Sequence, residues 1–416
     1  MHGRQILRIL PRSCCRDMIF GRSAVPFAAS AFQRLLEPLD RREMNRIVAA
    51  HDGDHGVGSG PNGWTCVRHL RTMLFAQFAG LNSLREIEQG LAANPGGLYH
   101  LDLRLPRRST LADAQAARPA AVFRDICQSL MGHASRAVRH EGKELIQLVD
   151  ASPIPLRDPR FSWAEADNHM PGLKLHIGYD PRAEVTDWID ITSPRVSDLK
   201  AARAMPLVSG AVYVFDKGYL DYGWWRRLHD QQALFVSRLK SNSHRRDVVA
   251  RTPQGEGILE DNDLKIGHAA PRGGARNLLF DVALREIVVE RDGKNPLRLI
   301  TNDLARPADQ IAALYKERWQ IELLFKWIKQ NLKIKRFIGR SQNAVKIQIY
   351  TALIAFLLLR MFRQASARAL SAKAVLSRVS VALFSRFDIS NRAKPPPRQP
   401  AKLPPSPQLA LNLTPA

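Results

Sequence analysis

Three acidic side chains stand where chemistry is easiest to build. Asp150 follows the apolar run LIQLV and Asp216 follows VYVF, so each is expected to end a β-strand. The carboxyl edge of an α/β sheet is where such folds expose functional groups. The third acid, Glu322, lies in YKERWQIELLFKWIK, where Tyr315, Arg318, Glu322 and Lys329 follow one another at +3, +4 and +7. On a helix that spacing keeps all four on one stripe. Leu314, Ile321, Phe325, Ile328 and Leu332 form an apolar stripe beside it, which would anchor the helix on a core. Three carboxylates are hard oxygen donors of the kind Mg²⁺ prefers. Two such ions roughly 4 Å apart would activate an attacking oxygen and stabilise a leaving one. Each residue also has a plainer reading. A strand-end aspartate can cap the next turn, and Arg318, Glu322 and Lys326 have the spacing of an ordinary salt-bridged helix face. The three sites together carry more weight than any one alone.

Charge points the same way. The 416 residues hold 62 Lys and Arg against 39 Asp and Glu, a net +23, and a polyanion such as nucleic acid is the natural partner of that surplus. A composition of 45% hydrophobic and 24% charged residues is globular, which excludes a wholly disordered, collagen-like or disulfide-rich chain. Cys14, Cys15, Cys66 and Cys127 lack C-x-x-C spacing and read as reduced thiols. The basic N-terminus is interrupted by Arg8, Pro11 and Arg12, unlike a signal peptide. Ile347 to Phe362 is the strongest apolar run, but Gln348 and Arg360 interrupt it and it reads as a buried helix. No membrane partner is expected, and the location expected is cytoplasmic, with association to the nucleoid during action.

Residues 27–140 read as an all-α domain, broken by the glycine-rich HDGDHGVGSGPNG at 51–63. His51, Asp52, Asp54 and His55 there could bind a metal, but the composition equally suits a solvated loop, and the loop reading is preferred. Strand-like runs follow at 145–150, 173–180, 187–192, 211–216 and 233–239, and Asp292-Gly293 marks a hairpin between two more. A long helix is expected after Asp303. A basic helical region is expected at 363–390, and a proline-rich disordered tail at 391–416.

The Tyr315–Arg318–Glu322–Lys329 spacing resembles the signature of insertion-sequence DDE transposases of the group named for those four residues. DKGY at 216–219 resembles that family's segment around its second aspartate, and LVDAS resembles the first. LKIKRFIGRSQNAVKIQIYTALIAFLLL is similar to the stretch after its glutamate, while FAQFAGLNSLREIEQGL and RSTLADA are similar to a helical domain before the catalytic core. The resemblance implies an α/β fold with an RNase H-like mixed five-stranded sheet flanked by helices. The core would occupy 141–240 and 296–362, with a β-rich insertion at 241–295 and a short basic extension at 1–26. It implies that Asp150, Asp216 and Glu322 are catalytic and bind two Mg²⁺ or Mn²⁺ ions, and that Tyr315, Arg318 and Lys329 contact phosphates near the cut. The implied activity is cut-and-paste DNA transposition: metal-dependent cleavage at inverted-repeat ends of double-stranded DNA, then strand transfer to target DNA. A homodimer pairing two ends is implied as well; the family generally needs a reader of those ends, and that role falls to 27–140 by exclusion. Two alternatives share these features: an RNase H-like nuclease that does not join, and a non-catalytic transposon-derived DNA-binding protein.

Overall fold

The computed structural model describes residues 29–56, 63–140, 144–167, 170–270, 276–332, 336–365 and 371–385. The 1–26 extension and the 391–416 tail lie outside these residues, as does the 57–62 part of the glycine-rich segment. Among the described residues the principal N-terminal helices are α1 (Ala31–Leu36), α2 (Arg41–Ala50), α3 (Cys66–Ala79), α4 (Leu84–Ala92), α5 (Arg108–Ala117) and α6 (Ala120–His140). Ser30, Asp40, Thr65 and Ser83 cap the first four, each side chain accepting from a backbone amide three residues on. Gly80 ends α3 in the left-handed conformation, φ 73°, which suits a residue without a Cβ.

Next come β1 (Ile146–Pro155), β2 (Ala166–Asp167), β3 (Met170–Asp180), β4 (Val185–Thr192), α7 (Asp198–Ala204), β5 (Val212–Phe215), α8 (Tyr222–Asp230) and β6 (Leu234–Arg238). Strands β1, β5 and β6 are parallel, while β3 is antiparallel to β1 and β4 antiparallel to β3. The order β4-β3-β1-β5-β6, with helices on its faces, is the five-stranded mixed sheet that the resemblance implies. The insertion does not form a separate sheet. Its strands β7 (Arg245–Ala250), β8 (Ile258–Ile266) and β9 (Leu284–Val289), with β10 (Leu297–Thr301), extend the same sheet beyond β6 in the order β10-β9-β8-β7. The β9–β10 hairpin turns at Gly293, φ 62°, as the Asp-Gly pair predicts.

Alternation along the central strands divides the protein into two cores. Leu145, Val149, Tyr213, Phe215 and Phe235 pack beneath Trp224, Trp225 and Leu228 of α8. Ile146, Leu148, Val212, Val214 and Val236 face the opposite core, which they share with the N-terminal helices and with α9 (Ala308–Glu317), α10 (Trp319–Asn331), α11 (Gln342–Ala365) and α12 (Ala372–Ala382). Helix α11 holds the long apolar run and is almost wholly buried, against α6 and α3 among others. Cys66 and Cys127 are buried free thiols of this core.

Candidate active site

Strand parity decides which way the two aspartates face. Asp150 continues the Ile146, Leu148 series and Asp216 the Val212, Val214 series, so both belong to the face that α9 and α10 cover. They are also level with one another. The parallel ladder pairs Val149 with Phe215 and stops there, and the next residue on each strand is the aspartate. Neighbouring strands lie roughly 4.8 Å apart. One expectation needs correction: Asp150 does not end β1, which runs on to Pro155 by pairing with β3. What ends at Asp150 is the pairing with β5, and there the half-buried carboxylate lines an open cavity.

Asp216 does not cap the turn that follows it. Its side chain makes no capping bond, and its Oδ1 accepts from the Tyr315 hydroxyl at 3.3 Å. The single long helix expected after Asp303 is two helices, broken at Arg318, where the bonding tightens to three-residue steps at 3.1 and 3.2 Å. Both flanking segments stay close to helical, so the stripe survives the break. Leu314, Ile321, Phe325, Ile328 and Leu332 are all at most 5% exposed and fix both helices on the core. Trp319 is 56% exposed and packs no interior.

The polar stripe meets the sheet at several points. Tyr315 reaches Asp216, and Lys329 donates to the Ser152 hydroxyl at 2.6 Å, two residues beyond Asp150 on the same strand face. Arg318 pairs with Glu322 at 2.8 Å, which is the salt bridge of the plainer reading. Asp150, Ser152, Glu322 and Lys329 line one open cavity of about 420 Å³, while Asp216 stands beside it. Burial pushes the Asp150 carboxyl up to about 6, and Glu322 and Asp198 add to that against the Ala151 amide and Arg318. Burial likewise raises Tyr315, with Asp216 next to it reinforcing the effect. Tyr219 is raised by burial and then by Asp150, Asp198 and Asp216; its buried hydroxyl has no hydrogen-bond partner among the described residues.

The donors suit a divalent cation by chemistry: Asp150 and Glu322 line one cavity and Asp216 follows the neighbouring strand, with Asp150 held at a raised pKa. Their spacing is still wide, since among the described residues no three acids, histidines or cysteines are grouped closely enough to hold an ion. Arg318 pairs with Glu322, and the Tyr315 hydroxyl donates to Asp216. Ser152, in the cavity, goes beyond the sequence-based candidates, as does Asp198, which pairs with Lys174 at 3.0 Å and acts on Asp150 through its charge. Ser152 has a signal that could reveal it, because it lies one strand period beyond Asp150; nothing in the sequence marks Asp198. Of the histidines and aspartates of the glycine-rich loop, His51 and Asp54 bond to the helices around them, while Asp52 and His55 form an exposed pair at 3.2 Å. His51 meets Asp125 at 2.6 Å, and Asp54 accepts from the Cys66 amide at 2.6 Å and from Arg118 at 2.5 Å.

Residues 141–358 match the family described as "Transposase DDE domain", and residues 28–104 match a domain of unknown function, DUF4372. A putative transposase of Sinorhizobium fredii, y4zB, is 39% identical over 318 residues, covering 75% of this chain and 88% of that protein. A probable transposase for insertion sequence element IS5377 of Geobacillus stearothermophilus is 26% identical, covering 70% of this chain and 76% of that protein. A piggyBac transposase synaptic complex with hairpin DNA has a TM-score of 0.43 and 10% identity over 89% of this chain and 80% of that one. With over half of its length inside the matched domain and so long an alignment to y4zB, the chain belongs to the transposase DDE-domain family: it is a DNA-cleaving transposase whose partner is DNA.

Proposed function

We propose that the protein moves an insertion sequence by cut-and-paste, with Asp150, Asp216 and Glu322 as the catalytic, metal-holding acids. The observation that carries this reading is the convergence on Asp150: its level register with Asp216, and the cavity it shares with Glu322 and Lys329. The cofactor is Mg²⁺, with Mn²⁺ as a substitute, and a pair of ions would supply both activation of the attacking oxygen and charge relief on the leaving one. The remaining work belongs to side chains. Lys329, oriented by Ser152, places an ammonium where a non-bridging phosphate oxygen would lie. Arg318 has two duties: it pairs with Glu322 and would turn its planar fork to phosphate when DNA arrives. Tyr315 holds Asp216 in place until then and afterwards offers its hydroxyl to the DNA backbone. A homodimer would pair the two ends.

Cleavage of a duplex taken from the DNA bordering the coding sequence tests this. Asp150→Asn, Asp216→Asn and Glu322→Gln should each lower Mg²⁺-dependent nicking about a thousandfold or more, since groups acting as a unit fail together. End binding should persist. Nicking at wild-type rate by any of the three variants refutes the assignment. Joining of pre-cut ends to a plasmid separates a transposase that completes transfer from one that only hydrolyses.

A further inference from the structure

The catalytic cavity continues past Lys329, which also lines a second, larger groove of about 1020 Å³. One lip belongs to the helical domain, through Arg85 on α4 and Arg108 at the start of α5. The other belongs to the catalytic domain, through Arg157, Arg336 and Arg340. All five of these arginines are exposed. Among the described residues seven cationic side chains line the groove against one acid, Asp158, and Asp158 is taken up by Arg160.

The walls are built rather than loose. Phe161 packs edge-on against Phe337 at 6.1 Å, and the Trp163 indole donates to the Arg340 carbonyl at 2.6 Å, which ties 157–163 to 336–340. On the facing lip, the Glu86 amide donates to Ser83 at 3.2 Å and the Asn82 amide donates back to Glu86 at 2.8 Å. That reciprocal cap fixes the first turn of α4, where Arg85 sits. Cations held this close repel one another, and a polyanion laid between the lips relieves the repulsion.

We infer that this groove holds the sugar-phosphate backbone of transposon-end DNA on its way out of the active site. The inference rests on the proposed catalytic acids only for the position of the cut. The end DNA, rather than target DNA, is the occupant because the groove is complete within one chain before cleavage. In addition, one of its two lips comes from a helical region that lies outside the DDE domain itself. The contacts are to phosphates and would position DNA without reading its sequence.

The test uses the full chain with a fluorescent duplex from the DNA bordering the coding sequence, in EDTA, across a salt series. Arg85→Glu with Arg108→Glu, and separately Arg157→Glu with Arg336→Glu, should weaken binding about tenfold or more. Each pair should also flatten the salt dependence by about one unit of slope for every phosphate left unneutralised. The Arg85→Lys, Arg108→Lys pair should retain most of the affinity, and melting curves of all variants should match wild type. Unchanged affinity and slope overturn the inference. So does a defect confined to capture of an unrelated target duplex by a complex already holding pre-cut ends, which would assign the groove to target DNA. Repeating the binding series in Glu322→Gln keeps the two proposals apart, because end binding needs no nicking. Weakened binding alongside a wild type that never nicks would sink the catalytic assignment and leave the groove standing.

Discussion

At the residue scale the site is a set of charges waiting for different partners. Asp150 carries the clearest consequence. Its pKa is raised by burial to about 6, so the carboxylate that the proposed metal site would need gives way to the neutral form as pH falls through that value. Calorimetric titration should find Mn²⁺ affinity nearly constant above pH 7. It should fall by about tenfold per unit well below pH 6, one proton being displaced per ion bound. An affinity flat down to pH 5 would remove Asp150 from the donor set. Arg318 makes the opposite contribution, since its guanidinium competes for Glu322. Arg318→Gln should therefore bind Mn²⁺ several-fold more tightly while cleaving DNA more slowly, a split that loss of folding would not produce. The sequence discloses the three acids and the four-residue stripe, because both rest on periodicity. It does not disclose which stripe residue meets which strand residue, because pairs such as Lys329 with Ser152 depend on how a helix crosses a sheet.

At the element scale, legibility follows burial pattern. The strands of the central sheet are readable as apolar or alternating runs. Strand β8, ILEDNDLKI, is not, because charge rather than apolar alternation sets its register. Asp261 on β8 and Arg285 on β9 form a buried pair at 2.6 Å, and Glu286 on β9, fully buried, takes Arg245 from β7 and Arg298 from β10. Removing one member leaves the other buried and uncompensated, so Arg285→Ala should cost about 3–5 kcal/mol in urea unfolding. The pair replaced together by apolar residues should lose far less. A second ionic clasp joins the approach to β1 with the loop before α9. Arg306 holds Glu144 below the usual carboxylate range; in Asp303 its bonds, with those of the backbone, outweigh a burial effect that pulls upward. Lowered carboxylates stabilise the fold above their unfolded values, 4.5 and 3.8, and that stability is lost as pH falls through the folded values. Arg306→Ala should therefore lower stability at pH 7 and flatten its decline below pH 4.5.

At the scale of the whole molecule, the helical and catalytic regions are separable in sequence but share one core in space. Helix α11 is buried against α3 and α6, and Ala120 and Asn343 bond directly at 3.1 Å. The composition shift near residue 141 separates a run of helices from a run of strands, yet elements from both sides of it pack into one core. A chain starting at residue 141 would expose the apolar side of α11 and should aggregate on expression, whereas the full chain should not. The proposed chemistry depends most on distant elements closing around metal: β1, β5 and α10 must bring their acids to one place. Anomalous diffraction from Mn²⁺ in crystals of the protein bound to end DNA measures this directly. Ion density touching Asp150 and Asp216, with Glu322 released from Arg318 and turned toward it, is the predicted result. Density elsewhere, or a Glu322 still paired to Arg318 beside fully occupied ions, would contradict it.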